Sequence, residues 1–234
     1  MVNREILIEG STVGRPRKPW TETVHAFLEH LRSRDVPVPR PLALDEQFEY
    51  VSLVDGLGGD DAWTAHVTSE AGHSMGQLLR RVHDAAREWS PPDDACWSVP
   101  HTPSGTICHG DPKPANFAWR NGRAVGLFDW DAARPAEPVN DLAYALLWSV
   151  PVRIRPMPER TASEQLAADA RAAALLEGYG WEGPFEVAEL AIARHRQAIN
   201  EVEWLGSHDH EPHASWVREG WPDRWRRELR AVRP

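Results

Sequence analysis

Three oxygen-bearing side chains stand at spacings that could support metal-assisted chemistry. Asp111 lies just after the apolar run 106–108, Asn116 follows it by five positions, and Asp129 comes directly after a second apolar run, 124–128. Carboxylate and amide oxygens are ligands that Mg²⁺ prefers, because this ion takes one or two carboxylates and completes its shell with water and phosphate oxygens. The residue types therefore indicate phosphoryl transfer assisted by a divalent cation.

The elements that must position these side chains can be predicted from the residues between them. Asn121-Gly122 is a strong signal for a two-residue hairpin turn. We therefore expect the runs 106–108 and 124–128 to pair as neighbouring strands with their ends close together. That pairing would gather the three polar side chains in one pocket.

Each polar residue of this pocket suits a distinct task. Asn116 and Asp129 suit metal binding, with Asp131 as a weaker metal candidate. Asp111, on the same loop as Asn116, can accept the proton of an attacking hydroxyl and hold that hydroxyl in line with a phosphoryl group. Lys113 would place a positive charge where the transferring phosphoryl group develops negative charge.

Four short motifs occur in the order typical of one family: HGD at 109–111, Asn116, FDWD at 128–131 and NDLA at 140–143. Together they resemble the signature of the aminoglycoside phosphotransferase family, a small-molecule branch of the protein-kinase-like fold that also holds choline-kinase-like and sugar-kinase-like members. Protein kinases show the same Asp and Asn spacing in their catalytic loop, with a metal-binding Asp downstream.

The resemblance implies roles for individual residues. Asp111 would be the catalytic base, and Asn116 and Asp129 would hold the metal ions. His109 would brace the catalytic loop, and Asp141 would tie that loop to the helix that begins there. The resemblance also implies an α+β, protein-kinase-like fold of two lobes. We expect a reduced N-lobe of short strands and one helix over residues 1–56, and a mostly helical C-lobe over residues 57–234.

The N-terminal region departs from the kinase pattern. It contains neither a G-x-G-x-x-G loop nor a strand lysine to hold the phosphates. A substitute cation could come from Arg15, Arg17 or Lys18. Arg15, on the second short strand, is the first choice because a guanidinium matches phosphate geometry in bidentate fashion. Glu22 or Glu29 of the following helix could pair with that cation.

Several further elements follow from hydrophobic periodicity and breakers. Helices are predicted over residues 21–34, 74–88, 162–179, 185–205 and 221–232, and strands over 12–15 and 48–54. The strand 48–54 resembles the one that leads into the hinge between the lobes. The resemblance implies that backbone groups of Ser52 to Val54 meet the purine. His83 is predicted to be a structural histidine.

Composition bounds the cellular setting and the partners. A net charge of -9 and a pI near 5.7 weigh against binding to nucleic acid or an anionic membrane, whereas an acidic cleft would suit a cationic acceptor. The 2 cysteines do not form a disulfide framework, and no stretch approaches the ~20 apolar residues that span a bilayer. We therefore expect a cytoplasmic protein. The sequence predicts no oligomeric state.

Two clusters near the C-terminus admit more than one interpretation. Four tryptophans, at 204, 216, 221 and 225, could form an aromatic wall for an acceptor, although helix packing is the interpretation favoured by their size. Acidic residues and histidines between 201 and 213 resemble a metal cluster, but their spacing favours a solvated loop.

Three functions remain compatible with the sequence. The first is transfer of the gamma-phosphoryl group of ATP or GTP, with Mg²⁺, to a hydroxyl of an aminoglycoside-like, choline-like or sugar acceptor. The second is a catalytically inactive, kinase-like binding or regulatory protein, which the missing glycine loop and strand lysine favour. The third and weakest is a metal-dependent hydrolase built on His109, Asp111 and Asp129.

Overall fold

A small antiparallel sheet and one helix form the N-terminal part of the chain. The computed structural model describes residues 6–102, 105–150 and 160–231. Strands β1 (Leu7–Glu9), β2 (Thr12–Pro16), β3 (Pro41–Leu44) and β4 (Phe48–Ser52) pair in the order β1-β2-β4-β3. Helix α1 (Thr21–Ser33) separates β2 from β3 and buries the stripe Val24, Phe27, Leu28 and Leu31 at helical spacing.

Two short strand pairs position the catalytic loop. Strands β6 (Phe117–Arg120) and β7 (Arg123–Leu127) form a hairpin, and β5 (Thr106–Cys108) pairs with β8 (Arg134–Ala136). The predicted pairing of 106–108 with 124–128 is therefore wrong. A two-residue turn can join only the strands that flank it directly, and both turn residues, Asn121 and Gly122, have positive φ as such a turn requires.

The central helices form the core of the larger, mostly helical part. Helix α2 spans Ser69–Ala86, α3 spans Pro138–Ser149 and α4 spans Ala162–Tyr179. The predicted start of α2 at residue 74 is late, because Thr68 caps the helix by accepting a hydrogen bond from the Ala71 amide. Helices α2 and α4 approach closely at Gly76, where an added Cβ would lie 2.0 Å from the Leu175 carbonyl oxygen.

Three C-terminal helices complete the described part of the chain. Helix α5 spans Val187–Ser207, α6 spans His213–Arg218 and α7 spans Trp221–Ala231. The sequence predicts α5 and α7 but not α6, which is too short to show a helical period. Residue 232, the predicted end of α7, lies outside the described residues. No helix in the described ranges combines the length and apolar character needed to cross a bilayer.

Candidate active site

A cavity of about 1350 Å³ lies between the N-terminal sheet, the loop after β5 and the C-terminal helices. Seven of the residues predicted to form the site line it: Arg15, Ser52, Val54, Asp111, Lys113, Asp129 and Asp131. The other three predicted residues, His109, Asn116 and Asp141, are buried side chains next to that lining. Residues from separate parts of the chain are thus brought together.

The two carboxylate oxygens of Asp111 have different surroundings. Its Oδ2 atom lies 2.6 Å from the Lys113 ammonium and accepts a hydrogen bond of 3.0 Å from the Asn116 amide. Its Oδ1 atom is buried and has no hydrogen-bond partner within 3.5 Å among the described residues. The Tyr144 phenol lies near this carboxylate: burial, the Asp111 charge and an interaction between the two side chains raise the pKa of Tyr144 well above its usual value. Lys113, Asn116 and Tyr144 thus surround a carboxylate whose orientation is fixed at the cavity.

His109 braces the loop from inside the protein. Its Nδ1 accepts a hydrogen bond of 3.2 Å from the Asp111 amide, so its proton resides on Nε2, which donates to the Phe128 carbonyl at 3.0 Å. Burial lowers the pKa of this imidazole and keeps it neutral. Because both ring nitrogens are used, His109 cannot also ligate a metal, which removes the basis for a hydrolase centred on it.

Asp141 joins the catalytic loop to α3. Its Oδ2 accepts hydrogen bonds from the His109 amide at 2.7 Å and from His83 Nε2 at 3.0 Å, and its Oδ1 accepts one from the Gly110 amide at 2.8 Å. Burial alone would raise the pKa of this carboxyl, but the bond from His83, the neighbouring histidines and the Gly110 amide bond lower it to about 2. His83 therefore has the structural setting that the sequence predicts.

Arg15 lies opposite the catalytic loop and contacts the second acidic motif. Its guanidinium forms ion pairs with Asp129 at 3.1 Å and Asp131 at 3.2 Å. Burial would lower the pKa of Arg15, but the charges of Asp131, Glu49 and Asp129 raise it. Asp129 itself has a φ of 65°, a left-handed conformation that Asp tolerates better than most residues and that is often found at functional sites.

The motifs and this geometry agree with comparisons to known proteins. The sequence profile of the Phosphotransferase enzyme family matches residues 14–98 and 94–190.

The chain belongs to the phosphotransferase enzyme family.

Individual relatives fit this assignment. The trifolitoxin immunity protein of Rhizobium leguminosarum bv. trifolii is 30% identical over 182 residues, which cover 73% of this chain and 68% of that protein. Amicoumacin kinase hAmiN, solved with AMP-PNP, Ca²⁺ and Ami, superposes with a TM-score of 0.61 at 12% identity, covering 96% of this chain and 86% of the kinase. Aminoglycoside phosphotransferase APH(3'')-Id from Streptomyces rimosus superposes with a TM-score of 0.57 at 16% identity, covering 82% and 91%. The predicted kinase-like α+β fold is therefore confirmed.

Arg15, the cation on β2, has an acidic partner that the sequence did not predict. Glu49, on β4 directly opposite Arg15 on β2, is buried and lies 2.7 Å from the Arg15 guanidinium. The other Glu49 oxygen lies 2.6 Å from His25 Nε2 of α1. Glu22 pairs with Arg17, another of the candidate cations, and the helix residue in the Arg15 network is His25 rather than Glu29. The cross-strand register of β2 and β4 is the signal that could have indicated Glu49.

Because Arg15 is predicted to contact phosphate, changing Glu49 to Gln is expected to weaken nucleotide binding. The substitution removes the Glu49 charge, which fixes the Arg15 guanidinium against β4. Arg15 then keeps only its ion pairs with Asp129 and Asp131 among these contacts. We expect the Kd of Mg-ATP to rise about tenfold, since one charge-assisted contact that orients the cation is lost. Isothermal titration calorimetry would measure it. Glu46→Gln, on the exposed loop before β4, is the matched control, and equal affinities of the two variants would contradict the role of Glu49.

Backbone hydrogen bonds limit which groups of residues 52–54 can donate to a purine. The Ser52 amide donates to the Arg40 carbonyl at 2.8 Å, and the Leu53 amide donates to the Ser11 carbonyl at 2.7 Å. Neither amide can also donate to a base. Among the amides of this segment, Val54 is the one left as a donor to a base, while the carbonyl groups of Ser52 to Val54 stay predicted acceptors at the cavity.

Helix α5 supports the catalytic loop from the other side, which the sequence did not indicate. Arg194 is buried, donates to the Gly110 carbonyl at 2.6 Å and lies over the Tyr144 ring at 4.6 Å. Glu201 pairs with both Arg194 and Arg134. The glutamates considered for a metal cluster between 201 and 213 thus pair with arginines. Besides Glu201, Glu203 pairs with Arg226 and Glu211 pairs with Arg218. These pairs favour the solvated and structural interpretation of that cluster over a metal site.

Proposed function

We propose that this chain is a small-molecule phosphotransferase that moves the gamma-phosphoryl group of ATP or GTP to a hydroxyl of a small acceptor. The observation that carries the proposal is the asymmetric setting of Asp111. One of its oxygens is held by Lys113 and Asn116, and the other is buried near the Tyr144 phenol, so the carboxylate has a fixed orientation at the cavity. Such a carboxylate is oriented to act as a base toward a bound hydroxyl.

The proposed reaction follows from these contacts. The acceptor hydroxyl donates its hydrogen bond to the Asp111 carboxylate, which takes the proton as the acceptor oxygen bonds to the gamma phosphorus. The bond from the gamma phosphorus to the bridging oxygen breaks, leaving a nucleoside diphosphate and a phosphate ester. Lys113 offsets negative charge near the transferring group, and Arg15 provides a second cation on the opposite wall.

The residues present fit a divalent cation. Asn116 uses its amide nitrogen toward Asp111, which leaves the amide oxygen as the ligand end, and Asp129 supplies a carboxylate at the cavity. Asp131 is a further carboxylate candidate. When bound, Mg²⁺ would offset the charge of the triphosphate. Arg15, which now contacts Asp129 and Asp131, is placed to turn toward phosphate oxygens as these carboxylates take the metal.

Changing Asp129 to Asn should weaken binding of the magnesium nucleotide. Asn is chosen because it tolerates the left-handed backbone of residue 129, so a loss reports the missing charge rather than strain. A loss of tenfold or more in affinity would reduce the stabilisation by Mg-ATP by at least about 1.4 kcal/mol. Thermal shift titrations with Mg-ATP and Mg-GTP measure this loss and also show which nucleotide is preferred. Retained affinity relative to Asp55→Asn, an exposed control, would contradict the metal role.

A second candidate is a protein that binds its ligand without catalysis. It is favoured by the absence of a G-x-G-x-x-G loop and strand lysine from the sequence, and by the engagement of Arg15 with both Asp129 and Asp131. One relative is an immunity protein by name, and immunity could come from modifying a toxin or from sequestering it. Sequestration needs the cavity but not Asp111, so the two candidates differ in the effect of changing that residue.

A further inference from the structure

The wall of the cavity is rich in tryptophan. Six tryptophans line the cavity, and four of them are partly buried: Trp63, Trp148, Trp216 and Trp225. They form two edge-to-face pairs, Trp63 with Trp148 at 5.9 Å and Trp216 with Trp225 at 6.3 Å between ring centroids. Partly buried indoles at a cavity offer large apolar contact area to a ligand at little entropic cost. Of the four C-terminal tryptophans considered in the sequence, Trp216 and Trp225 line the cavity, whereas Trp204 and Trp221 do not.

Each carboxylate that lines the cavity has a cationic partner, with Asp129 and Asp131 sharing Arg15 with Glu49. Six carboxylates line the cavity, and each forms an ion pair with an arginine or lysine. Five of the lining residues are Arg or Lys. The net charge of -9 on the whole chain is therefore not concentrated here. A cationic acceptor leaving water would have to compete with an existing partner for every carboxylate.

Two histidines that line the cavity are neutral near pH 7. His195 of α5 is buried, and burial together with the Arg194 charge lowers its pKa to about 4. His210 packs edge-on against Trp20 at 4.9 Å between ring centroids, and partial burial and the charge of Lys18 lower its pKa. Both side chains present neutral rings at pH 7.

We propose that the acceptor is an uncharged hydroxyl compound with an aromatic or largely apolar body, rather than a polyamine. This inference rests on the proposed function, which supplies the need for a hydroxyl near Asp111. Tryptophan faces can also bind a quaternary ammonium. However, about 1350 Å³ exceeds the space usual for one drug-sized ligand, so room remains beside a nucleotide for an acceptor larger than choline.

The test compares matched neutral and cationic alcohols on the full chain loaded with Mg-AMP-PNP. Tryptophol and chloramphenicol are the neutral aromatic probes, and kanamycin and choline are the cationic ones. Each is titrated to about 1 mM, the upper end of usual acceptor affinities, and binding is followed by thermal shift and by tryptophan fluorescence. We expect saturable binding of at least one neutral probe, tighter than either cation by tenfold or more.

Two tryptophan variants test whether the neutral probes bind at the tryptophans that line the cavity. Trp216→Ala removes an indole from the cavity and should weaken the neutral probe by at least about tenfold. Trp204→Ala removes an indole that is 42% exposed and does not line the cavity, so it should leave the affinity unchanged. Circular dichroism and the Mg-AMP-PNP affinity of both variants show that the fold is retained.

Three outcomes would overturn the inference. These are tighter binding of kanamycin or choline than of the neutral probes, no binding of either neutral probe at about 1 mM, and equal effects of the two tryptophan variants. Phosphoryl transfer is scored separately, by mass spectrometry of the probes after incubation with Mg-ATP. Neutral probes could bind in a way that depends on Trp216 and yet gain no phosphate. That result would support an uncharged, aromatic ligand and contradict the proposed phosphoryl transfer.

Discussion

Replacing Asp111 with asparagine should lower phosphoryl transfer by about three orders of magnitude while nucleotide affinity changes little. The Lys113 and Asn116 nitrogens both donate to Asp111 Oδ2. Asparagine would satisfy these donors with its single carbonyl oxygen. The asparagine side chain would carry no negative charge, so it could not take the proton of the acceptor hydroxyl. The variant keeps the shape of the site and loses the base.

The measurement is a single-turnover assay of phosphate ester formation beside a calorimetric titration with Mg-AMP-PNP. Asp55→Asn is the matched control, because Asp55 is an exposed carboxylate paired only at the surface with Arg120. Full activity in the Asp111 variant would show that the base has been misassigned. Nucleotide and acceptor binding with no turnover in either the wild type or the variant would favour the sequestering protein.

The sequence predicts the site better than it predicts the elements that hold it. Asp111, Asn116 and Asp129 could be placed together because their spacing recurs in a known family, although the strand pairing inferred from Asn121-Gly122 was wrong. A local turn signal fixes only its own two flanking strands, β6 and β7. The partner of β5 is β8, and that pairing depends on how the chain returns after Asp129. Such non-local pairing leaves no short-range pattern.

The missed residues have a common character. Glu49, Arg194 and Glu201 act across elements that are far apart in sequence, and each looked like an ordinary surface charge in its own segment. Arg194 reaches the Gly110 carbonyl from a helix 84 positions downstream. Buried charges of this kind are recognisable only when their partners are known, since an unpaired charge would not remain buried. The register between β2 and β4 places Glu49 opposite Arg15, and it could have indicated Glu49 but neither Arg194 nor Glu201.

Replacing Asp141 with asparagine should destabilise the protein by about 3–5 kcal/mol. Both carboxylate oxygens of Asp141 accept hydrogen bonds from backbone amides, those of His109 and Gly110, and one also accepts from His83. An asparagine in either orientation must point its own N–H groups at one of these backbone donors. At least one buried donor then loses its partner, in the loop that carries Asp111, the proposed base. Urea unfolding at pH 7 measures the loss, with Asp84→Asn on the exposed face of α2 as the control.

The same residue makes a prediction for pH dependence. The pKa of Asp141 falls from 3.8 to about 2 on folding, so its charge contributes about 2 kcal/mol that is fully present above pH ~5 and is lost as the pH falls through the folded value. The difference in unfolding free energy between the wild type and Asp141→Asn should therefore be constant above pH ~5 and shrink as the pH approaches 2. A difference that stays constant over this whole range would show that folding does not lower the pKa of Asp141, and a difference that shrinks as the pH rises above ~4 would show that Asp141 stays protonated in the folded protein. The loop that carries Asp111 would then be held by a neutral acid rather than by the buried charge assigned to it.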